Sequence, residues 1–568
     1  MNQNLALADY LVFIVYFIIV AGYGYSIYHK RKKNEHDAKA YFLAEGTLTW
    51  WAIGASLIAS NISAEQFIGM SGEGYFLGIA VAAYEWIAAI ALIVVAVWFI
   101  PVYLKNHIYT MPQFLKTRYN ESVALIMAIF WLFLYVFVNL TSILYLGAAA
   151  INGLAGGGYL HYIMLGLAIF ALVISLGGMK VVAYTDVIQV AVLIIGGLVT
   201  TYIALTTVGE YFGVGQNAIA GFKVLMREAP EHFTMIIPKP TANSTQNEIS
   251  KYLTFPGFLS YLAGIWIINL NYWGCNQYIT QRALGADLQT ARTGILFAGF
   301  LKLLMPLIVM LPGIAAFVLY NSPSHPEIAA HLPKLVGGKD GAYSAMLTFL
   351  PTGLKGLSVA ALTAAIVASL AGKVNSISTI YTLDIHKKYF QKDADERKQV
   401  YTGRIAVFAA MILAVLFTWN DLLGIGGVGG FTYIQKYTGF ISPGVFAMFF
   451  LGMFWKRTTG WAAIFGVITG FLLSILFNEL APAWFGNETF LYTAYPNGKG
   501  GFEIPFHICM GLSFLFTMIL MIAISLGGPK VNPKAFMLDK TMFKLRPQTT
   551  VLIVITLLII AALYVKFW

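Results

Sequence analysis

Apolar segments long enough to cross a lipid bilayer follow one another along almost the whole chain. A spanning helix needs about 20 mainly apolar residues, and the segment lengths predict about fourteen such helices. Charged residues make up only 11% of the 568 residues, whereas soluble domains carry about 25%. We therefore expect an all-α integral membrane protein in a lipid bilayer, with no loop long enough to fold as a separate soluble domain.

The positions of Lys and Arg predict the orientation of the chain. The first apolar segment, residues 10–28, is followed by the basic cluster at residues 29–33, the reverse of the order in a signal peptide. We expect a retained helix with its amino terminus outside. In that orientation most of the 36 Lys and Arg residues lie in cytoplasmic loops, as the positive-inside rule requires. The net charge of +11 therefore does not indicate nucleic-acid binding. The predicted location is the plasma (inner) membrane, with both termini outside.

Two apolar segments carry polar residues at mid-membrane depth. The first, residues 50–72, contains the sequence Asn61-Ile-Ser-Ala-Glu-Gln66. The second, residues 269–277, contains a glycine and four amide side chains. Such groups either make hydrogen bonds between helices or face a cavity or ligand. Two interrupted helices in corresponding halves of a chain are typical of the binding site of a secondary transporter, which is our working hypothesis.

Counting five spans from each interrupted helix predicts two related halves. Because five is odd, the halves insert with opposite orientation and form a five-plus-five inverted repeat. The predicted divisions are an amino-terminal helix and cytoplasmic loop (1–49), a first repeat (50–206), an extracellular loop (207–255), a second repeat (256–455) and carboxy-terminal helices (456–568). The extracellular loop is expected to form a short surface helix and a cover.

Among the ionisable residues within apolar segments, Glu85, Asp186 and Lys302 each have two or more interpretations. Glu85 has no neighbouring charge in sequence, so it is protonated, paired across helices or used on a ligand. Asp186 either complements the dipole at the start of a helix capped by Thr185, or receives a cation on its way inward. Lys302 either snorkels to the interface or reaches a central cavity.

Several motifs in fixed order resemble the sodium/solute symporter family, above all its bacterial sodium/sugar cotransporters. The resemblance covers almost the whole chain and is strong over residues 50–455. The motifs are Asn61-Ile-Ser-Ala-Glu-Gln-Phe67, Tyr84-Glu-Trp86, Asn139-Leu-Thr-Ser142, Tyr184-Thr-Asp-Val-Ile-Gln189, Asn276-Gln-Tyr278 with Gln281-Arg282, and Phe454-Trp-Lys456. The resemblance implies the LeuT-like fold with two discontinuous helices.

The resemblance also implies a sugar site midway across the membrane. A pyranose needs hydrogen-bond partners for its hydroxyls and an aromatic ring against its C–H face. The implied substrate-binding residues are Asn61, Gln66, Glu85, Asn139, Asn269, Tyr272, Lys302 and Gln435. Tyr272 would also act as the inner gate, while Met70, Tyr84 and Phe431 would resemble the outer gate. Ala88 stands where the galactose transporters have a serine near the sugar.

Sodium is implied as the coupling ion, bound by oxygen atoms of a broken helix and of the eighth core helix. The implied ligands are the backbone carbonyls of Ala59, Ile62 and Ala365 and the hydroxyl of Ser369, with Ala368 where the family often has a second hydroxyl. Asp186 would lie on a sodium exit path. Gly372 replaces a hydroxyl that in some relatives helps to hold a second sodium, so we predict one sodium per sugar.

The predicted function is a secondary active symporter that couples inward sodium flow to the uptake of galactose or glucose by alternating access. The alternatives are a symporter of the same fold for inositol or another sugar, a membrane sensor, and a sodium-leak channel. A sensor is not favoured, because the sequence has no appended output domain. A channel is not favoured either, because the polar residues gather at one depth rather than lining a continuous pore. An enzyme is not expected, because no nucleophile motif or metal-ligand spacing is present.

Overall fold

The computed structural model describes residues 6–30, 48–63, 65–155, 157–332, 338–422 and 430–568, and these are almost entirely helical. Through the predicted first repeat, the α-helices are Leu7–Lys30, Trp50–Asn61, Ser71–Leu77, Ala83–Val94, Ile100–Lys105, Met111–Arg118, Glu121–Leu134, Thr141–Leu154, Leu160–Leu176 and Gly178–Tyr211. Short π-helical turns at Glu65–Met70, Val95–Phe99 and Tyr135–Leu140 and a 3₁₀ turn at Gly78–Ala82 join some of them.

The second half of the chain is also mainly helical. Its α-helices up to the end of the predicted second repeat are Ala218–Glu228, Gln246–Thr254, Gly257–Ala263, Ile265–Cys275, Gln277–Leu284, Leu288–Lys302, Met305–Val309, Leu311–Asn321, Pro326–Ala330, Ala342–Leu347, Leu354–Thr379, Glu396–Thr418, Gly430–Gly439 and Ser442–Phe454. The remaining α-helices are Gly460–Ile475, Ala481–Phe485, Phe506–Leu526 and Pro547–Phe567. Further π-helical turns lie at Ile380–Phe390 and Leu476–Leu480, and 3₁₀ turns at Pro230–Phe233, Gly338–Gly341 and Lys540–Phe543. Tyr495–Pro496 and Phe502–Glu503 pair as a small antiparallel hairpin.

Within the described ranges, nine helices are long and apolar enough to span a membrane. Two further helix pairs qualify if each bent pair is one span, which raises the number to eleven. Leu160–Leu176 and Ser442–Phe454 are apolar but shorter. The prediction of a multi-pass membrane protein agrees with this pattern, while the number fourteen stays a prediction.

The first broken helix consists of Trp50–Asn61 and residues 65–77. The last backbone hydrogen bond of the helix Trp50–Asn61 is donated by the Ile62 amide to the Ile58 carbonyl (2.8 Å). Ile62 itself is extended, with φ −81° and ψ 114°. The next amide, of Ser63, donates instead to the Gln66 side-chain carbonyl (3.1 Å), which also accepts from the Ser63 hydroxyl (3.2 Å). Gln66 therefore stabilises the break. As at the end of any α-helix, the last carbonyl groups of Trp50–Asn61 have no backbone amide partner within the helix.

The second broken helix consists of Ile265–Cys275 and Gln277–Leu284. Asn276 separates them with an extended backbone (φ −90°, ψ 130°). Its side-chain carbonyl accepts from the Tyr135 hydroxyl (3.3 Å), and its backbone carbonyl accepts from the Thr280 hydroxyl (3.0 Å). Asn276, one of the amides predicted to interrupt this segment, thus stabilises the interruption.

Glycines let the first broken helix lie directly on the helix Leu288–Lys302, which we call the Lys302 helix. A Cβ atom on Gly54 would lie 2.8 Å from the Gly294 carbonyl oxygen, and one on Gly294 would lie 2.8 Å from the Trp50 carbonyl oxygen. Only residues without a side chain permit such an approach. The close contact brings Lys302 to the broken part of the helix.

The predicted extracellular loop covers one end of the first broken helix. It contains two short helices, Ala218–Glu228 and Gln246–Thr254, and the 3₁₀ turn Pro230–Phe233, which includes His232. The buried His232 ring stacks on Phe317 at 3.9 Å and hydrogen-bonds the Tyr75 carbonyl (3.0 Å). Burial lowers the pKa of His232. Gly78 has φ +77°, and a Cβ there would lie 2.3 Å from the His232 carbonyl oxygen, so this crossing requires glycine.

Candidate substrate and ion site

The eight side chains predicted to bind the substrate line one cavity between the two broken helices. They are Asn61, Gln66, Glu85, Asn139, Asn269, Tyr272, Lys302 and Gln435. The cavity volume, counted as the space open to the centre of a water molecule, is about 70 Å³. One buried water needs about 10–15 Å³ on the same measure. The cavity therefore has room for several waters, or for a small polar ligand that replaces them.

A buried ion pair lines this cavity. The Lys302 ammonium group lies 2.5 Å from a Glu85 carboxylate oxygen, and the two residues are 1% and 3% exposed. The same ammonium group donates to the Asn61 side-chain carbonyl. The Asn61 amide in turn donates to the Tyr272 hydroxyl (3.0 Å). Glu85 is thus paired across helices, and Lys302 reaches the cavity; the snorkelling alternative is wrong.

This network offers both donors and acceptors to a ligand. A carboxylate has two oxygen atoms and about four acceptor positions, and an ammonium group has three donors. The Trp273 ring lies under the Lys302 ammonium group, 5.3 Å from its centroid, and packs edge-on against Tyr272 with centroids 5.1 Å apart. A polyhydroxylated ring is the type of ligand that this mixture of charges, amides and aromatic faces suits.

Aromatic side chains close the cavity on the side predicted to be extracellular. Tyr84 and Phe431 pack edge to face with centroids 5.1 Å apart, and both line the cavity. Met70 lies in the first broken helix and is fully buried. A Cβ atom on Gly69 would lie 2.6 Å from the Phe431 Cβ and 2.9 Å from the Phe431 backbone nitrogen, so the backbone before Met70 lies directly on the backbone of Phe431. The three predicted outer-gate residues are therefore all buried.

Ser369 lies where the first broken helix meets the helix Leu354–Thr379, which we call the Ser369 helix. Its hydroxyl donates to the Ser60 carbonyl (3.1 Å). Ala59, Ile62, Ala365 and Ala368 are all at most 1% exposed. The structure therefore places Ser369 at the carbonyl end of the helix break. Ala368 contributes no side-chain oxygen, so Ser369 supplies the side-chain oxygen of this pair.

The helix-cap interpretation of Thr185 and Asp186 is wrong. Their helix begins at Gly178, two turns earlier, and the Thr185 hydroxyl donates to the Val181 carbonyl (2.9 Å) within it. The buried Asp186 carboxylate accepts from the Ser56 hydroxyl (2.6 Å) and lies 3.7 Å from the Arg282 guanidinium group. Asp186 therefore has a protein cation beside it.

Comparison with known proteins identifies the family of this chain. A model of the sodium:solute symporter family matches residues 41–470, which is most of the chain. The chain belongs to the sodium:solute symporter family. Its members are sodium-coupled transporters rather than enzymes, and sodium is their coupling ion.

Individual relatives agree with this membership. The symporter is 41% identical to the sodium/glucose cotransporter of Vibrio parahaemolyticus over 577 residues, covering 100% of this chain and 99% of that protein. It is 34% identical to sodium/myo-inositol cotransporter 2 of Mus musculus, over 84% of this chain and 70% of that protein. A solved sodium-coupled sialic acid symporter matches with a TM-score of 0.76 at 18% identity, covering 93% and 99% of the two chains. The structural match confirms the predicted helical transporter fold.

The symporter's cavity also contains residues that sequence reasoning did not select as site residues. They are Leu134, Ile268, Trp273, Asn276, Tyr278, Lys373, Ile434 and Thr438, while Ala88, which the resemblance places near the sugar, also lines the cavity. Outside the cavity, the ring of His507 hydrogen-bonds the Tyr84 hydroxyl (2.8 Å) from the later helix Phe506–Leu526. For Lys373 a signal was present, because an ionisable residue inside an apolar helix is a functional candidate by default. His507 gave no such local signal, since the residue it contacts lies 423 positions away.

Proposed function

We propose that this protein couples inward sodium flow to the uptake of a monosaccharide by alternating access. One observation carries the proposal: all eight residues that the family resemblance assigns to the sugar line a single buried cavity. Full-length identity of 41% to a sodium/glucose cotransporter favours glucose or galactose as the substrate. In this proposal Glu85, Lys302 and the five amides among these eight residues bind sugar hydroxyls, and Tyr272 stacks on the ring.

Myo-inositol is the second candidate substrate, because the chain is 34% identical to a sodium/myo-inositol cotransporter. Inositol and a pyranose both present several hydroxyls around a six-membered ring, so the same donors and acceptors suit both. Ala88 lines the cavity and brings no hydrogen-bonding group of its own, which leaves ring shape and the placement of the amides to discriminate.

Sodium is proposed to bind at the helix break, between the carbonyls of Ala59, Ile62 and Ala365 and the Ser369 hydroxyl. One sodium per sugar is proposed. A Cβ atom on Gly372 would lie 2.4 Å from the nearest nitrogen of the Arg282 guanidinium group. That group therefore occupies the position that a side chain at residue 372 would take. Asp186, beside the same guanidinium group, would then meet sodium only on its exit path.

One sodium is energetically sufficient for uptake. Moving one charge through 100 mV contributes about 2.3 kcal/mol. A tenfold sodium gradient adds about 1.4 kcal/mol, and the total of about 3.7 kcal/mol corresponds to about a 500-fold accumulation of sugar.

The protein is proposed to lie in the plasma (inner) membrane with both termini outside. Its predicted repeats, residues 50–206 and 256–455, are proposed to carry the alternating movement.

Uptake into proteoliposomes tests the proposal. Purified protein is reconstituted, and labelled glucose, galactose and myo-inositol are offered with an imposed inward sodium gradient. We expect accumulation of one of them above equilibrium, which a potassium gradient of the same size does not produce. Reversal potentials then measure the sodium-to-sugar ratio, expected to be one. Equal sugar entry with either cation would contradict sodium coupling.

Tyr272 is proposed to be the inner gate, and two substitutions separate its ring from its hydroxyl. Tyr272→Phe keeps the ring beside Trp273 and removes the contact with Asn61, so most of the uptake should remain. Tyr272→Ala removes a stacking surface worth about 0.5–1.5 kcal/mol beyond its buried area, so apparent affinity or coupling should fall at least several-fold. Initial uptake rates over a range of sugar concentrations check this. Equal, full activity of both variants would remove Tyr272 from the gate.

A further inference from the structure

A second buried lysine, Lys373, connects the proposed ion site with the substrate cavity. It lies one turn after Ser369 on the Ser369 helix and is 2% exposed. Its ammonium group donates to the Ser369 hydroxyl oxygen (2.9 Å). The same group lies 4.7 Å from the centroid of the Tyr278 ring, and both residues line the cavity.

The Ser369 hydroxyl thus has a cation bound to it already. It donates its hydrogen to the Ser60 carbonyl and accepts from Lys373. A sodium ion bound to the same oxygen would lie within about 5 Å of the ammonium group, where two like charges repel strongly at the low effective dielectric of a buried site. The two cations are therefore alternative partners of Ser369.

A displaced ammonium group has one evident destination. Lys373 already borders the cavity beside Tyr278, and its flexible four-carbon stem allows the charged end to move while the backbone stays in the helix. In the cavity it meets the positions proposed for sugar hydroxyls, to which it can donate up to three hydrogen bonds.

We propose that Lys373 is a tethered cation that competes with sodium for Ser369, and that sodium binding moves its ammonium group into the cavity, where it donates to the sugar. This inference rests on the proposed sodium-coupled function and adds a coupling residue to it. Sodium would raise the affinity for sugar by releasing a donor. By thermodynamic reciprocity, sugar would raise the affinity for sodium by the same factor.

Binding measurements on the full chain test the inference without relying on transport. Radioactive sodium binding is measured on purified wild type, Lys373→Met, Lys373→Gln and Lys373→Arg without sugar. We expect both neutral variants to bind sodium at least about tenfold more tightly than wild type, which corresponds to about 1.4 kcal/mol. Lys373→Arg keeps the charge and should bind sodium as weakly as wild type. Lys436→Met removes a helical lysine that pairs with Glu479 instead, so it should leave sodium affinity unchanged.

Sugar binding provides the second readout. In wild type, saturating sodium should tighten sugar binding, whereas in the neutral Lys373 variants sugar affinity should be nearly the same with and without sodium. Melting temperatures establish that each variant is folded, and the glutamine variant serves if the methionine variant is not. If a folded neutral variant binds sodium with wild-type affinity, this inference is wrong, while the proposed function is unaffected. If the wild type itself shows no sodium-dependent uptake, the proposed function fails instead.

Discussion

Glu85→Ala is expected to abolish sugar uptake and to destabilise the protein markedly. The substitution leaves the Lys302 ammonium group buried without the carboxylate that lies 2.5 Å away. Removing one partner of a buried ion pair costs about 3–5 kcal/mol, because the remaining charge is uncompensated. The same carboxylate is proposed to accept from a sugar hydroxyl. We therefore expect a clear drop in melting temperature and no measurable sugar binding.

A double variant separates stability from binding. Glu85→Gln combined with Lys302→Met removes both charges, so its melting temperature should lie well above that of Glu85→Ala while sugar binding stays lost. Glu479→Ala is the matched control. Its partner Lys436 lies 3.3 Å away, but Glu479 is half exposed, and such pairs contribute at most about 1 kcal/mol. A melting temperature and sugar affinity of Glu85→Ala equal to those of wild type would show that the pair serves neither stability nor binding.

Ser369→Ala is expected to abolish sodium-driven accumulation of sugar. Ser369 supplies the side-chain oxygen of the proposed ion site, because its neighbour is Ala368 and the other proposed ligands are backbone carbonyls. With one sodium per sugar, no second site would remain to carry the coupling. Uptake driven by a sodium gradient should fall to the level seen with potassium, while exchange of labelled for unlabelled sugar without a gradient should persist.

Ser378→Ala is the control for this substitution. Ser378 lies on the same helix, but its hydroxyl donates to the Gly403 carbonyl (2.8 Å) rather than to the first broken helix. Its loss should leave sodium-driven uptake close to wild type. Sodium-driven accumulation by Ser369→Ala at the wild-type level would place the coupling ion elsewhere, and a measured ratio of two sodium ions per sugar would point to Asp186.

Several features of the fold could be predicted from local sequence. Polar residues within an apolar segment marked both helix breaks, because a bilayer has no water to satisfy them and each must meet a partner or a cavity. The same pattern, together with the family resemblance, selected the cavity-lining residues Asn61, Glu85 and Lys302. Local sequence and the resemblance therefore predicted part of the cavity lining, including its charged pair.

The pairing of these residues was decided only by the tertiary structure. Glu85 and Lys302 are 217 positions apart, and Ser369 and Ser60 are 309 apart. No local pattern states which buried charge will meet which. The interpretations of Glu85, Asp186 and Lys302 therefore stayed open until the packing of the helices placed a cation beside each carboxylate.

Lys373 shows most clearly what the sequence predicts and what only the tertiary structure decides. The sequence places a lysine in an apolar helix, which predicts a costly and functional position but not its role. Its contact with Ser369 follows from helix geometry, since residues four apart lie on one face. That this face meets the end of the first broken helix follows from helix packing. The chain's own sequence thus determined which groups are buried, whereas long-range packing decided which of them share the proposed cation site and which share the proposed sugar cavity.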